Sequence, residues 1–186
     1  MKAWLFVLAG LLAGPAAALQ YDTLVAEETR IGFIYRQMSV PVEGAFRQVG
    51  GSLVFDPARP EATRGEITVA VGAIDTGSPE GDEEARGRLW FDALHHPVAR
   101  FLVQKVKATG ADRFEVGGTL TIKGRSRALV LPVTVRTSGR RAVAETRFVL
   151  RRLDFAVGEG LWADVSTVAN EVEVRVRLVL AASSSS

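Results

Sequence analysis

The sequence contains no cysteine and only two histidines, and both shortages exclude whole classes of protein. Without cysteine there is no disulfide-stapled scaffold, no thiol enzyme and no Cys-ligated zinc or iron–sulfur site. The histidines, His95 and His96, are adjacent, and neighbouring side chains diverge in an extended segment, whereas zinc ligands converge from spaced positions. We therefore predict no metal site and no cofactor.

Motifs of the common enzyme classes are also missing. The sequence has no Gly-x-Ser-x-Gly elbow, P-loop or Rossmann fingerprint. One Asp-Thr-Gly triplet occurs, at 75–77, but aspartic proteases need two copies to share a proton. The remaining catalytic candidates are Asp82, Asp92 and His95, and turn or helix-end positions explain each of them. We predict that the chain is not an enzyme, with this cluster as the alternative.

Basic residues are not concentrated in any one part of the sequence. The chain has 23 basic and 21 acidic side chains, and Arg and Lys alternate with Asp and Glu along most of its length. A protein that binds phosphate backbones gathers its cations on one face or in a tail. Nucleic acid is therefore not an expected partner.

A short apolar run at the N-terminus predicts export. Lys2 precedes an apolar stretch from Ala3 to Ala13, which is too short to span a bilayer, and Ala16 and Ala18 mark a cleavage site. An uncleaved anchor helix is the alternative. We predict a signal peptide over 1–18, one domain over 19–182, a disordered tail over 183–186, and a periplasmic location.

Alternation of apolar and polar residues dominates the rest of the chain and predicts half-buried strands. From Glu171 to Leu180, every second residue is Val or Leu, which puts one face of a strand on a core. Short turns between such runs indicate an antiparallel meander that either splits into a sandwich or closes into a barrel. The predicted strands, eight or nine in all, are 30–37, 40–47, 50–55, 65–74, 99–108, 113–122, 127–136, 142–150 and 171–180.

One segment, Ser78 to Trp90, departs from this pattern. Ser78 suits a helix N-cap, Pro79 suits the first helical position, and the acidic residues that follow complement the helix dipole. Gly81 and Gly87 weaken the helix, so an irregular loop is the alternative. We expect a short helix on the surface.

Aromatic side chains are spread along the strands. Packing is the default explanation for any one of them. About eight strands, however, enclose an interior that can hold one small ligand where smaller residues replace some of the fillers, and Val and Ala are abundant here. An apolar cavity with a few cationic groups at its mouth suits a lipid with a polar or anionic head.

Several segments together resemble the polyisoprenoid-binding, YceI-like family of exported lipocalin-like proteins. Thr29 and Gln37 stand where members often have Ser and His, so the likeness lies in the order and spacing of the segments. Those segments are 29–46, with its Gly-x-Phe turn; 51–57; 74–77, followed by Asp82; 90–101, with its Pro-x-x-x-Phe stretch; and the 118–124 hairpin.

The resemblance implies an extended antiparallel eight-stranded lipocalin-like β-barrel that binds a long polyisoprenoid lipid, either an isoprenoid quinone or a polyprenyl phosphate. A transient membrane contact is a further expectation, and the oligomeric state stays open. The alternative is a protein-interaction module with a filled barrel, attached to a membrane redox complex. The hypothesis for the site gives Phe33, Tyr35, Trp90, Phe91 and Phe101 as the apolar lining and Tyr35 and Arg88 as the head-group contacts.

Overall fold

The alternating segments form a single antiparallel sheet in the computed structural model, which describes residues 19–183. The predicted signal peptide and the last three residues of the predicted tail lie outside that range. The strands are β1 (Tyr21–Leu24), β2 (Arg30–Gln37), β3 (Val40–Phe46), β4 (Val49–Val54), β5 (Arg64–Ala70), β6 (Ile74–Asp75), β7 (Val98–Ala108), β8 (Arg113–Ile122), β9 (Arg125–Ser138), β10 (Arg141–Arg151) and β11 (Glu171–Ala182).

The strand order is β4-β5-β7-β8-β9-β10-β11-β2-β3-β6, and β1 pairs with β11 away from this path. The sheet curls until its edges approach each other. Tyr21 in β1 exchanges two backbone hydrogen bonds of 2.9 Å with Phe55, directly after β4. These bonds link β1, and through it β11, to the other side of the curl. The result is the expected all-β, antiparallel barrel.

The predicted number of eight strands is not confirmed, because the described chain contains eleven. Two strands, β1 and β6, have four and two residues and are too short to show an alternating period. The predicted strand 65–74 is also divided, since a 3₁₀ turn at Val71–Ala73 separates β5 from β6.

The helix forms, and the irregular-loop alternative is wrong. It runs as α1 from Pro79 to Arg86, with Pro79 at its first position. The Ser78 hydroxyl caps it by accepting a hydrogen bond of 3.0 Å from the Gly81 amide. The helix ends before the predicted limit at Trp90, because residues 87–90 continue as turns. Short 3₁₀ helices also occur at Ala26–Glu28, Pro60–Ala62, Arg152–Phe155 and Gly160–Ala163.

Two apolar clusters occupy opposite ends of the barrel. The larger contains Tyr21, Phe55 and Phe114 and lies toward the first residues of β8. The smaller contains Ile122 and Phe155 and lies toward the last residues of β8. Most of the fully buried side chains belong to these clusters. The other inward-facing side chains of the barrel are mostly partly buried.

The inner face of the sheet is closely packed around Gly44 in β3. A β-carbon added there would lie 2.3 Å from Cζ of Phe33 and 2.6 Å from the Asp75 carbonyl oxygen. We therefore predict that Gly44→Ala lowers the free energy of unfolding in urea by about 1–3 kcal/mol, through overpacking. Gly72→Ala is the matched control, since nothing lies within 4 Å of its added β-carbon. Equal effects of the two substitutions would contradict the argument.

Candidate functional site

An interior cavity of about 630 Å³ runs along the barrel, and side chains of both apolar clusters line it. This volume lies within the roughly 300–1,000 Å³ typical of sites for small organic ligands. The lining comes from the inward positions of the strands, so the residues of β11 that alternation assigns to the core face the cavity. They are Val172, Val174, Val176, Leu178 and Leu180.

Small residues on β10 leave the room that the cavity occupies. Ala142 and Ala144 face inward on this strand, followed by Thr146 and then the larger Phe148 and Leu150. Each alanine fills far less of the interior than the Leu or Phe that a solid core would place there. The barrel is therefore not filled by its own side chains.

All five residues predicted to form the apolar lining border this cavity: Phe33, Tyr35, Trp90, Phe91 and Phe101. Several of them belong to a continuous row of rings. The Phe33 ring centroid lies 6.2 Å from that of Tyr35 and 5.4 Å from that of Phe46, which in turn lies 5.8 Å from Phe91. Their role as contacts for a lipid remains a prediction.

Several polar groups of the lining come from the end of β2 and from α1 with its cap, and we call this part of the cavity the mouth. Tyr35 and Gln37 lie on consecutive inward positions of β2, and Ser78, Glu80 and Glu84 lie beside or within α1. Burial raises the pKa of the Tyr35 hydroxyl, so this group remains a neutral hydrogen-bond donor at physiological pH. No hydrogen bond within the described residues uses the Tyr35 hydroxyl or the side-chain amide of Gln37, so both groups are free for a ligand.

Arg152, beside the mouth, is the most unusual charged residue of the lining, with only 2% of its surface exposed. Its five N–H groups donate to five backbone carbonyl oxygens at 2.6–3.0 Å. Burial lowers the pKa of this guanidinium, and no ion pair with a carboxylate of the described residues compensates its charge. The five acceptors are Ala169, Val157, Gly158, Trp162 and Val168.

Two tryptophans connect Arg152 to helix α1. The guanidinium lies 5.4 Å from the centre of the Trp90 ring, and this ring is 5.5 Å from Trp162. The Trp162 indole N–H then donates a 2.7 Å hydrogen bond to Glu84. The segment after β10 and the helix after β6 therefore meet across the mouth of the cavity.

Arg88, the second predicted head-group contact, does not line the cavity. It is exposed. The pKa of Glu159 is lowered chiefly by a hydrogen bond from Lys123, and the charge of Arg88 lowers it further. Gln37 and Arg152 also line the cavity and were not among the predicted site residues, although alternation places both on the inner face. Gln37 continues the inward series of Phe33 and Tyr35, and Arg152 continues that of Phe148 and Leu150.

The cluster considered for catalysis is divided in the structure. Asp92 and His95 form an exposed pair with 2.8 Å between Oδ1 and Nδ1. Asp82 instead accepts hydrogen bonds from the amide and the hydroxyl of Thr76, at 2.6 and 2.8 Å. Within residues 19–183, no three His, Asp or Glu side chains are grouped so that they could hold a metal ion. No helix in the same range is long and apolar enough to cross a membrane.

Comparison with known proteins agrees with this architecture. The family model of the YceI-like domain matches residues 23–180. This chain belongs to the YceI-like domain family. Among YceI-like relatives, a UPF0312 protein of Azotobacter vinelandii is 27% identical over 173 residues, or 88% of each chain. Protein YceI of Salmonella newport is 26% identical over 179 residues, or 91% of each chain.

Solved structures show the same fold. BcnA of Burkholderia cenocepacia superposes with a TM-score of 0.81 and 33% identity, covering 84% of this chain and 98% of BcnA. A polyisoprenoid binding domain from Saccharophagus degradans, implicated in plant cell wall breakdown, superposes with a TM-score of 0.72 and 19% identity. That alignment covers 89% of this chain and 99% of the neighbour, and at this identity it shows the fold alone.

Arg152 yields a stability prediction. In Arg152→Leu, five carbonyl oxygens lose their donors, so we expect the free energy of unfolding in urea to fall by about 3 kcal/mol or more. Arg152→Lys supplies three donors and should lose less. The control is Arg151→Leu, at an exposed neighbouring position, where we expect a change within about 0.5 kcal/mol. A small effect of Arg152→Leu would show that water replaces the guanidinium without cost.

Proposed function

We propose that this YceI-like protein binds a long-chain polyisoprenoid lipid, such as an isoprenoid quinone or a polyprenyl phosphate, and carries it in the periplasm. The observation that carries the proposal is the apolar cavity of about 630 Å³ inside the barrel. The predicted signal peptide over 1–18 supports export to that compartment.

Burial of apolar surface supplies the affinity in this proposal. Each methylene group removed from water contributes about 0.8 kcal/mol, so several isoprene units bind tightly without specific hydrogen bonds. The rings of Phe33, Phe46 and Phe91 offer such a chain a continuous apolar wall. The neighbour from Saccharophagus degradans, described as a polyisoprenoid binding domain, supports the same class of ligand.

The polar head of the lipid lies at the mouth in this proposal, where Tyr35 and Gln37 have unused hydrogen-bonding groups. The hydroxyl and the amide both donate to a quinone carbonyl or a phosphate oxygen. Arg152 contributes positive charge but no hydrogen bond, since its five donors are occupied. Arg88 reaches a head group only where that group projects beyond the mouth.

The alternative of a filled barrel that acts only as a protein-interaction module is less well supported. Its premise is an interior packed by side chains, whereas small residues on β10 leave the interior open. A binding role for the surface loops alone would not account for the cavity.

The cargo prediction is tested by native mass spectrometry and organic extraction of protein exported from its natural host. We expect one polyisoprenoid lipid per chain, and a protein that stays empty when offered prenyl lipids would overturn the proposal.

Phe33→Asp and Phe101→Asp should reduce bound lipid about tenfold or more, because a carboxylate in an apolar cavity must be desolvated. Ala144→Phe tests the loss of volume without a change of polarity. The control is Leu94→Asp, whose side chain is 86% exposed outside the cavity.

Tyr35→Phe tests the head-group contact separately from the apolar chain. Loss of one neutral hydrogen bond should weaken binding of an isoprenoid quinone about two- to tenfold, measured by fluorescence titration. Binding of a prenyl hydrocarbon without a polar head should stay unchanged. Arg88→Gln, examined in parallel, tests whether the surface arginine contributes to the same contact. Equal weakening of both ligands by Tyr35→Phe would place the effect in the lining and not at the head.

A further inference from the structure

The barrel wall is interrupted between β9 and β10. These strands pair only from Arg141–Ser138 to Glu145–Thr134, and beyond Glu145 they separate. Residues 125–133 then pair only with β8, and residues 146–151 pair only with β11. Pro132 lies where the pairing stops; it has no N–H for the ladder, and its carbonyl oxygen accepts a 2.6 Å hydrogen bond from the Thr146 hydroxyl. We call the opening between 125–133 and 146–151 the β9–β10 gap.

The β9–β10 gap leads directly to the cavity. Leu131 on one side and Phe148 and Leu150 on the other line the cavity. Thr146 borders both the cavity and a shallow depression on the outer surface, which it shares with Glu145, Arg147 and Arg175. Thr146 therefore contacts both the apolar cavity and the outer surface of the barrel beside the gap.

Exposed apolar side chains flank the gap. Val130 on β9 is 69% exposed and Val149 on β10 is 59% exposed. If the register of the paired residues continued, these two valines would lie directly opposite each other. The backbone at the two lips has lost its strand partner and needs polar surroundings, which the headgroup region of a bilayer provides and its hydrocarbon core does not.

The charge around the gap is positive. Arg127 and Arg151 lie on opposite lips without a carboxylate partner in the described chain, and Arg147 nearby is paired with Glu173 at 3.3 Å. Helix α1 has the opposite sign, because it carries four acidic residues and one arginine. An anionic surface is therefore attracted to the gap and repelled from the exposed face of α1.

We propose that the β9–β10 gap docks on the anionic headgroups of a phospholipid bilayer and passes the apolar chain of the ligand between the bilayer and the cavity. Arginines on the lips bind the headgroups, and Val130 and Val149 enter the interface. The apolar chain then moves sideways into the barrel without passing the acidic helix α1. This inference rests on the proposed lipid-binding function and adds where and how the lipid enters.

Docking is tested by co-sedimentation of the full chain with vesicles of phosphatidylglycerol or of phosphatidylcholine. We expect binding to phosphatidylglycerol vesicles only, and its loss at about 1 M salt, where charges are screened within about 3 Å. Each arginine near an anionic surface contributes about a fivefold factor, so Arg127→Gln with Arg151→Gln should weaken binding about thirtyfold. Val130→Asp with Val149→Asp should weaken it about tenfold or more.

Matched controls remove the same groups elsewhere on the barrel. Arg36→Gln with Lys107→Gln removes two exposed cations from β2 and β7, and Val54→Asp with Leu94→Asp changes two exposed apolar residues. We expect both control pairs to retain wild-type binding to phosphatidylglycerol vesicles. Equal losses in the controls and the gap variants, or no binding by the wild-type protein, would overturn the docking surface.

Lipid entry is measured as the rate at which an isoprenoid quinone moves from phosphatidylglycerol vesicles to the protein. The gap variants should take up the quinone about tenfold more slowly or worse, in line with their weaker docking. They should bind the same quinone normally when it is presented in detergent micelles. Wild-type transfer rates in the gap variants would overturn the route. Failure of the wild-type protein to bind quinone in micelles would instead overturn the proposed function.

Discussion

The mouth end of this barrel depends on one buried cation that makes no ion pair within the described residues. Arg152 binds carbonyl groups of two stretches of the segment between β10 and β11, 157–162 and 168–169. A guanidinium suits this task because its five donors lie in one plane and remain charged at every physiological pH. The segment between β10 and β11 is thereby held across the barrel. Trp90, Trp162 and α1 take their positions from that segment, and the mouth takes its shape from them.

The interior cavity follows from the sizes of the inward-facing side chains. The two apolar clusters stabilise the barrel, and the small inward residues Ala142 and Ala144 on β10 leave space beside them. A protein interior normally reaches close packing, and the loss of dispersion contacts around a cavity costs stability. In the proposed function, a bound apolar ligand supplies the dispersion contacts that the side chains around the cavity lack.

Much of the fold could be predicted from the sequence, because strands with one buried face show their period directly. The predicted limits of β2 and β8 agree with the structure, and so does the start of α1 at Pro79 behind the Ser78 cap. The short strands β1 and β6 could not be predicted, since their pairing depends on residues far away in the sequence. Phe33, Tyr35 and Phe101 border the cavity because alternation fixes the face that a strand side chain occupies. The turn after α1 has no such period, and of its residues Trp90 and Phe91 border the cavity whereas Arg88 does not. Arg152 continues the inward series of β10, but a charged side chain is not expected in a buried lining.

Closure of the barrel through β1 also determines when this chain can complete its fold. The strand that begins the described chain has its partner in the last strand, and Asp22 accepts hydrogen bonds from Ser183, 161 positions away. A contact of such sequence separation forms only after the whole chain is available, and topologies rich in distant pairings fold slowly. Until the last strand emerges, the earlier ones have no complete barrel to join. The cavity is therefore complete only when the last strand of the described chain has paired with β1.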